Sequence, residues 1–347
     1  MQRLALLFVG YALIVGVAQS APSGTLLTVK ELAVIVNDAD PLSVAIGDYY
    51  RRKRSIPPGN ILHVRVDPTQ VAISAQQFLT LREDVKARTP AHVQAYALTW
   101  IKPYRVECMS ITTAFAAGYN RAFCATGCKP TQLSPYFNSG SRRPYDDLGW
   151  RPTMSIAALD MDHARQLIDR GAAAGRSSAI GKAYLLETED AARNVRSLTY
   201  AEAERMVQAS IKVEIARAPA LRDKRDVMFY FIGATRVADL GSNRFLAGAI
   251  ADHLTSAGGD LTGNAQMSSL RWLEAGATGS YGTVVEPCNM LQKFPHVGVL
   301  MRRYLDGETL LEAYWKSVAM PGQGLFIGDP LARPFGGKLT EPLVDHR

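Results

Sequence analysis

Apolar residues follow two rhythms along this chain. Short continuous runs bounded by polar residues alternate with longer stretches of helical period. "ELAVIVND" (31–38), "ILHVRVD" (61–67) and "VQAYALTW" (93–100) read as strands. "PLSVAIGDYYRRKR" opens at Pro41 and is broken by "SIPPGN". "SAQQFLTLREDVKART" carries Ser74 as a cap, with Pro90 just beyond. Both read as helices. The β-α-β-α-β order predicts an α/β fold, a mostly parallel sheet flanked by helices.

Residues 103–152 break the rhythm. They hold three cysteines with Gly, Pro and aromatic residues, and little periodicity after "SITTAFAAGY". An irregular, cysteine-containing insertion is expected there, and loops of that kind often carry binding surfaces. The pattern then resumes. "MSIAALD" (154–160), "KAYLLETED" (182–190), "DVMFYFIGAT" (226–235), "GSYGTVVEPC" (279–288) and "GLFIGDPLARPF" (324–335) read as strands. "MDHARQLIDRGAAAG", "TYAEAERMVQASIKVEIARA" and "QMSSLRWLEAGA" read as helices, and two helical pieces meet near Asp306-Gly307. No internal repeat or low-complexity linker interrupts the chain.

The first residues change the compartment. Arg3 precedes an uncharged, mostly apolar run from Leu4 to Val17, and Ala18-Gln19-Ser20 supplies small residues at cleavage positions. This reads as a signal peptide over residues 1–20, with an uncleaved anchor as the alternative. The run is shorter than the roughly 20 residues that span a bilayer. The expectation is an exported chain, periplasmic or extracellular, with residues 21–347 forming a single α/β domain and no transmembrane segment. The formal charge of +7 is scattered, apart from Arg51-Arg52-Lys53-Arg54 at a helix end, where cations suit the dipole. No nucleic-acid partner is expected from that distribution.

Four cysteines in an oxidising compartment suggest two disulfides, with three possible connectivities. The expected pairing is Cys124–Cys128 across the tight "CATGC" loop and Cys108–Cys288 between strand ends. Zinc is disfavoured, since only one close cysteine pair exists and no second ligand pair follows at zinc spacing.

"DPLSVAIGDYYRRKRSIPPGNI", "RPTMSIAALDMDHARQLIDRG", "SLRWLEAGATGSYGTVVEP" and "GETLLEAYWKSVAMPGQGLFIGDPLARPF" span most of the chain. Together they resemble an exported bacterial family found in genomes with the exosortase and PEP-CTERM sorting system. The resemblance implies a compartment and a genomic setting, with no established activity. "TEPLVDHR" lacks the Pro-Glu-Pro motif, apolar span and basic end of a sorted substrate.

A second resemblance is to the gingipain-like, caspase-fold cysteine peptidases. "DVMFYFIGAT" is similar to their histidine strand, but Gly233-Ala234-Thr235 stands where that family has Gly-His-Gly. "LAGAIADHLTSAGGDL" (246–261) is similar to their cysteine strand, with Asp252-His253 near the expected cysteine. "GLFIGDPLARPF" matches the terminal turn. The resemblance implies a caspase-like scaffold with both catalytic residues missing from their places, and fold analogy alone does not carry function.

Candidate chemistry follows from these positions. Cys288 and His253 could form a thiolate–imidazole dyad; the competing reading has Cys288 oxidised and His253 a core residue. Ser256 or Ser280 with His253 and Asp252 would be a serine triad. Sequence neighbours rarely converge in that way, and no G-x-S-x-G elbow occurs. Carboxylates recur at strand ends: Asp38 and Asp40, Asp160 and Asp162, Glu187 and Glu189, and Glu286. They could hold a divalent cation, with Asp38, Asp40, Asp160 and Asp162 as ligands, or serve as caps and turn residues. Glu286, between "TVV" and Pro287, would need an Arg or backbone donors. Trp100 and Tyr104 could face a ligand or the core, whereas Trp272 and Trp315 read as core. No other cofactor is expected. Three functions remain: a degenerate peptidase-like domain that acts by binding, an active hydrolase using His253 with Cys288 or a carboxylate, and an extracytoplasmic structural or glycan-binding protein. Exported proteins or surface polysaccharide are the expected partners.

Overall fold

The computed structural model describes residues 26–176 and 180–336. The expected signal peptide at 1–20 lies outside the described residues. The described residues form thirteen strands: β1 (Leu32–Asn37), β2 (Ile61–Val64), β3 (Ala72–Ile73), β4 (Ala95–Leu98), β5 (Arg105–Val106), β6 (Met109–Ser110), β7 (Thr153–Ser155), β8 (Lys182–Glu187), β9 (Lys212–Arg217), β10 (Val227–Gly233), β11 (Phe245–Leu254), β12 (Gly279–Thr283) and β13 (Gly324–Gly328). The α-helices are α1 (Pro41–Arg54), α2 (Ala75–Arg88), α3 (Ile111–Ala117), α4 (Pro144–Leu148), α5 (Met161–Ala173), α6 (Tyr200–Val207), α7 (Leu270–Glu274), α8 (Val297–Leu305) and α9 (Leu310–Ser317).

Ten strands make one sheet in the order β2-β1-β4-β7-β13-β12-β11-β10-β8-β9. Every pairing in it is parallel except β12 with β13. That antiparallel seam divides the sheet into two half-sheets of five strands each. Each half has the doubly wound order 2-1-3-4-5 when its strands are counted along the chain. β13 closes the first half after the chain has completed the second. The mostly parallel, helix-flanked architecture expected from the hydrophobic pattern is present.

Local sequence accounts for the elements. β1, "LAVIVN", is buried at every position, as a strand covered on both faces requires. α1 starts at Asp40, whose carboxylate accepts from the Leu42 N–H, with Pro41 in its first turn. α2 begins with a capping box between Ser74 and Gln77, and α9 with one between Thr309 and Glu312. One helical reading fails. "IKVEIARA" leaves the helix at α6 and forms β9, the outermost strand of the second half. Its edge position leaves it half-exposed, so Lys212, Glu214 and Arg217 weaken the apolar signal.

The insertion at 103–152 is more ordered than its composition suggests. β3, β5 and β6 form a small sheet, and α3 and α4 follow. It docks on the start of β13, where Ser110 Oγ and Thr112 Oγ1 donate to the Gly324 carbonyl at 2.5 and 3.1 Å. Tyr104 donates to Asp260 at 2.6 Å, and Trp100 Nε1 donates to the Pro103 carbonyl. Both aromatic residues are buried in the structure rather than turned toward a ligand.

The cysteine pairing corrects the expectation. Cys108 bonds Cys124 and Cys128 bonds Cys288, with Cα separations of 5.4 and 5.3 Å. The "CATGC" loop does not close on itself. It ties its first cysteine back to the β5–β6 turn and hands its second to the segment after β12. The second bridge therefore fastens the insertion of the first half onto the carboxyl edge of the second. Two disulfides fit an oxidising compartment. Among the described residues, no helix is long and apolar enough to cross a membrane.

Candidate functional site

The strand-end carboxylates are spread along the sheet rather than gathered at one point. Asp38, Asp40, Asp160 and Asp162 follow the parallel strands β1 and β7. Glu187 ends β8, Glu189 lies just beyond it, and Glu286 follows β12. The first four have local roles. Asp38 lies 2.7 Å from His63 Nδ1. Asp40 caps α1. Asp160 caps α5 and accepts from the backbone N–H of His163, which, with the His163 ring, lowers its pKa. Asp162 lies 3.6 Å from Arg165 at the surface. Among the described residues, no three His, Cys, Asp or Glu side chains are grouped as a metal site would need. The expected cation ligands are therefore not brought together.

Asp252 and His253 sit inside β11 rather than beyond it, so the two-residue period of a strand points them to opposite faces. They cannot act as one catalytic pair. His253 is fully buried beside Trp272. Trp272 Nε1 donates to His253 Nδ1 at 2.9 Å, which requires the ring proton on Nε2, facing the Met267 carbonyl at 3.0 Å. Burial lowers its pKa to about 4, so the ring is neutral at ordinary pH. Cys288 has no thiol, because its sulfur is bonded to Cys128. The proposed Cys288–His253 dyad is not assembled.

On the other face, Asp252 meets Arg196 at 2.5 Å, and both side chains are buried. Burial raises the Asp252 pKa, while Arg196 pulls it down. Arg196 also donates to the Ile232 carbonyl at 3.1 Å, tying the 3₁₀ turn after β8 to β10. Nothing in the sequence marked Arg196, because its partner is 56 residues away. Glu286 resolves as its surroundings required. It pairs with buried Lys293 at 2.7 Å and accepts from the Cys288 N–H at 3.0 Å.

The open site lies elsewhere on the same carboxyl edge. From β8 the chain proceeds to β9 on one side, and β10 and β11 continue on the other. The crevice between the ends of β8 and β10 is thus the topological switch point, where open α/β sheets bind ligands. A cleft of about 800 Å³ occupies it, a size suited to small ligands or side chains. Glu187, Asp190, Arg217, Thr235 and Arg236 line it. Asp190 is held by Arg193 at 3.0 Å, and Arg193 Nε also donates to Thr255 Oγ1 at 3.1 Å. Thr188 Oγ1 donates to the Gly233 carbonyl at 2.6 Å, joining the two strand ends. Glu187 makes no ion pair among the described residues and is left to face the cleft. No histidine or cysteine lines it. The arrangement offers carboxylates and guanidinium groups around small apolar walls, with no nucleophile–base pair. Glu187 and Glu189 are legible in the sequence as strand-end carboxylates, but the helical look of "IKVEIARA" hides β9 and with it the switch point. Comparison with known proteins found no matching family model, curated protein or solved structure.

Proposed function

We propose that the chain is an exported binding domain of the exosortase-associated family, on a peptidase-like scaffold without catalytic groups, and that it binds an extended segment of an exported protein at the β8/β10 cleft. One observation carries this reading: the switch-point crevice is open but holds neither thiol nor imidazole. Support for a polypeptide ligand comes from the chemistry of the walls. Carboxylates and guanidinium groups of both signs flank Ala218, Pro219 and Ala234, which suits a chain of mixed side chains. β9 beside it is an outer strand whose free edge can take an added strand.

Two measurements test this. The mature chain, immobilised without reductant, is exposed separately to exported proteins and to surface polysaccharide. Retention of protein that Thr235→Trp abolishes, by filling the cleft, is the expected result. Polysaccharide retention abolished by the same change would replace the polypeptide reading, and retention indifferent to it would remove the cleft from the mechanism. A fluorogenic peptide hydrolysed by the unreduced chain would overturn the non-catalytic reading altogether.

A further inference from the structure

A second pocket, on the first half-sheet and independent of the cleft, carries an unbalanced positive charge. It measures about 450 Å³ and lies between α2, β4 and the α4 segment of the insertion. Arg82 and Lys86 on α2 and Arg151 just before β7 line it, with Tyr96, Phe115 and Tyr145 as its aromatic surface. Arg151 is the informative residue. It is only 7% exposed. Its Nε donates to the Val93 carbonyl at 3.0 Å, and its guanidinium carbon stands 3.2 Å from the Tyr145 ring centre and 5.6 Å from that of Tyr96. No carboxylate lies within ion-pair distance of it among the described residues. A buried cation normally has such a partner.

The neighbouring charges increase the imbalance. Arg82 and Lys86 are four apart on one helix, a like-charged spacing that disfavours the helix by itself. Arg82 has only Glu83, at 3.6 Å and largely exposed. The single carboxylate in the lining, Asp146, is engaged by Arg143 at 2.6 Å and by Gln94 at 3.2 Å. We infer that this pocket binds a small oxyanion, a phosphate or carboxylate group, with the planar Arg151 fork as its principal donor and Arg82 and Lys86 closing over it. A guanidinium already oriented by stacking and by one carbonyl presents its remaining N–H donors with little ordering cost. The alternative explanation is that Arg82 and Arg151 serve only to complement the carboxyl end of α3, since the Arg151 N–H itself donates to the Ala116 carbonyl.

The experiment compares inorganic phosphate, citrate and chloride at matched ionic strength, by calorimetry and by melting temperature. The expected result is saturable binding of phosphate or citrate with a rise in melting temperature that chloride does not produce. The tighter of the two identifies the oxyanion type. The double variant Arg82→Gln/Lys86→Gln changes only side chains at or near the surface. It should weaken binding by about tenfold or more, as loss of charge-assisted contacts predicts. Arg151→Lys keeps the charge but not the planar fork and should weaken it as well. Equal melting temperatures in all three salts, or a double variant that titrates like the parent, would overturn the inference and leave the helix-end role as the explanation.

Discussion

The two half-sheets have the same strand order and opposite fates at their switch points. In the first half, the crevice between β1 and β4 is plugged. Ser43 Oγ and Thr99 Oγ1 lie 2.6 Å apart, and Ser43 Oγ accepts from the Asn37 N–H at 2.9 Å. The Asn37 amide donates to the Val66 carbonyl at 2.8 Å and accepts from the Val66 N–H at 2.9 Å. All three side chains are fully buried. In the second half, β10 ends at Gly233, and Ala234-Thr235 follow it. A Cβ at Gly233 would collide with the Arg193 carbonyl, so the turn after β8 packs directly on this strand, and the cleft lies open beside Ala234 and Thr235. Topology offers both halves the same ligand position. The few side chains after each strand decide which half keeps it.

The halves are also braced differently, and the largest predicted effect tests that difference. Under the open crevice lies the Arg196–Asp252 ion pair; under the closed one lie neutral hydrogen bonds. Arg196→Met leaves a buried carboxylate alone and should cost about 3–5 kcal/mol in denaturant unfolding. Arg196→Met/Asp252→Leu removes both charges and should recover most of that loss. A single variant within about 1 kcal/mol of the parent would mean that the pair does not brace the second half.

Periodicity made the central strands and capped helices readable. β1, β10, α1 and α2 each announce themselves by a continuous apolar run or by a cap such as Asp40 or Ser74. Three features could not be read in that way. β9 is an edge strand, so its charged residues mimic a helix face. The seam at β12–β13 depends on a strand returning from the far end of the chain to lie between β7 and β12, which no local pattern encodes. Asp252-His253 looks like a reactive pair until the strand is known to continue through both residues. Alternation then sends one to Arg196 and the other to Trp272. The cysteine pairing likewise depends on where the insertion docks, which spacing within "CATGC" does not encode.

His253 provides a second test, with a defined pH window. In the folded chain its pKa is lowered to about 4 by burial, against an ordinary 6.5. The unfolded chain therefore binds a proton between those values that the folded chain does not. Stability is unaffected by this residue above pH 6.5, falls as pH drops from 6.5 toward 4, and levels off below. The full loss is about 3 kcal/mol. Melting curves across that window should show the slope, and His253→Gln, which keeps a donor toward Met267, should flatten it. An unchanged slope in the variant would mean that His253 is not the group held neutral in the second half.

The smallest effect belongs to the plugged crevice. Ser43→Ala removes the acceptor for the Asn37 N–H and one of the two partners of the Thr99 hydroxyl without changing any charge. Because the Asn37 N–H is left buried without its acceptor, while Thr99 Oγ1 keeps the Ile35 carbonyl at 3.3 Å, the cost should be about 1–2 kcal/mol. It should be the same at pH 4 and pH 6.5, since no titrating group belongs to that plug. A pH-independent loss here beside a pH-dependent one at His253 would show the two halves as differently built versions of one strand order. A loss at Ser43 as large as that of Arg196→Met would instead mean that the neutral plug and the ion pair hold their half-sheets equally, and the open cleft would owe nothing to its buried charges.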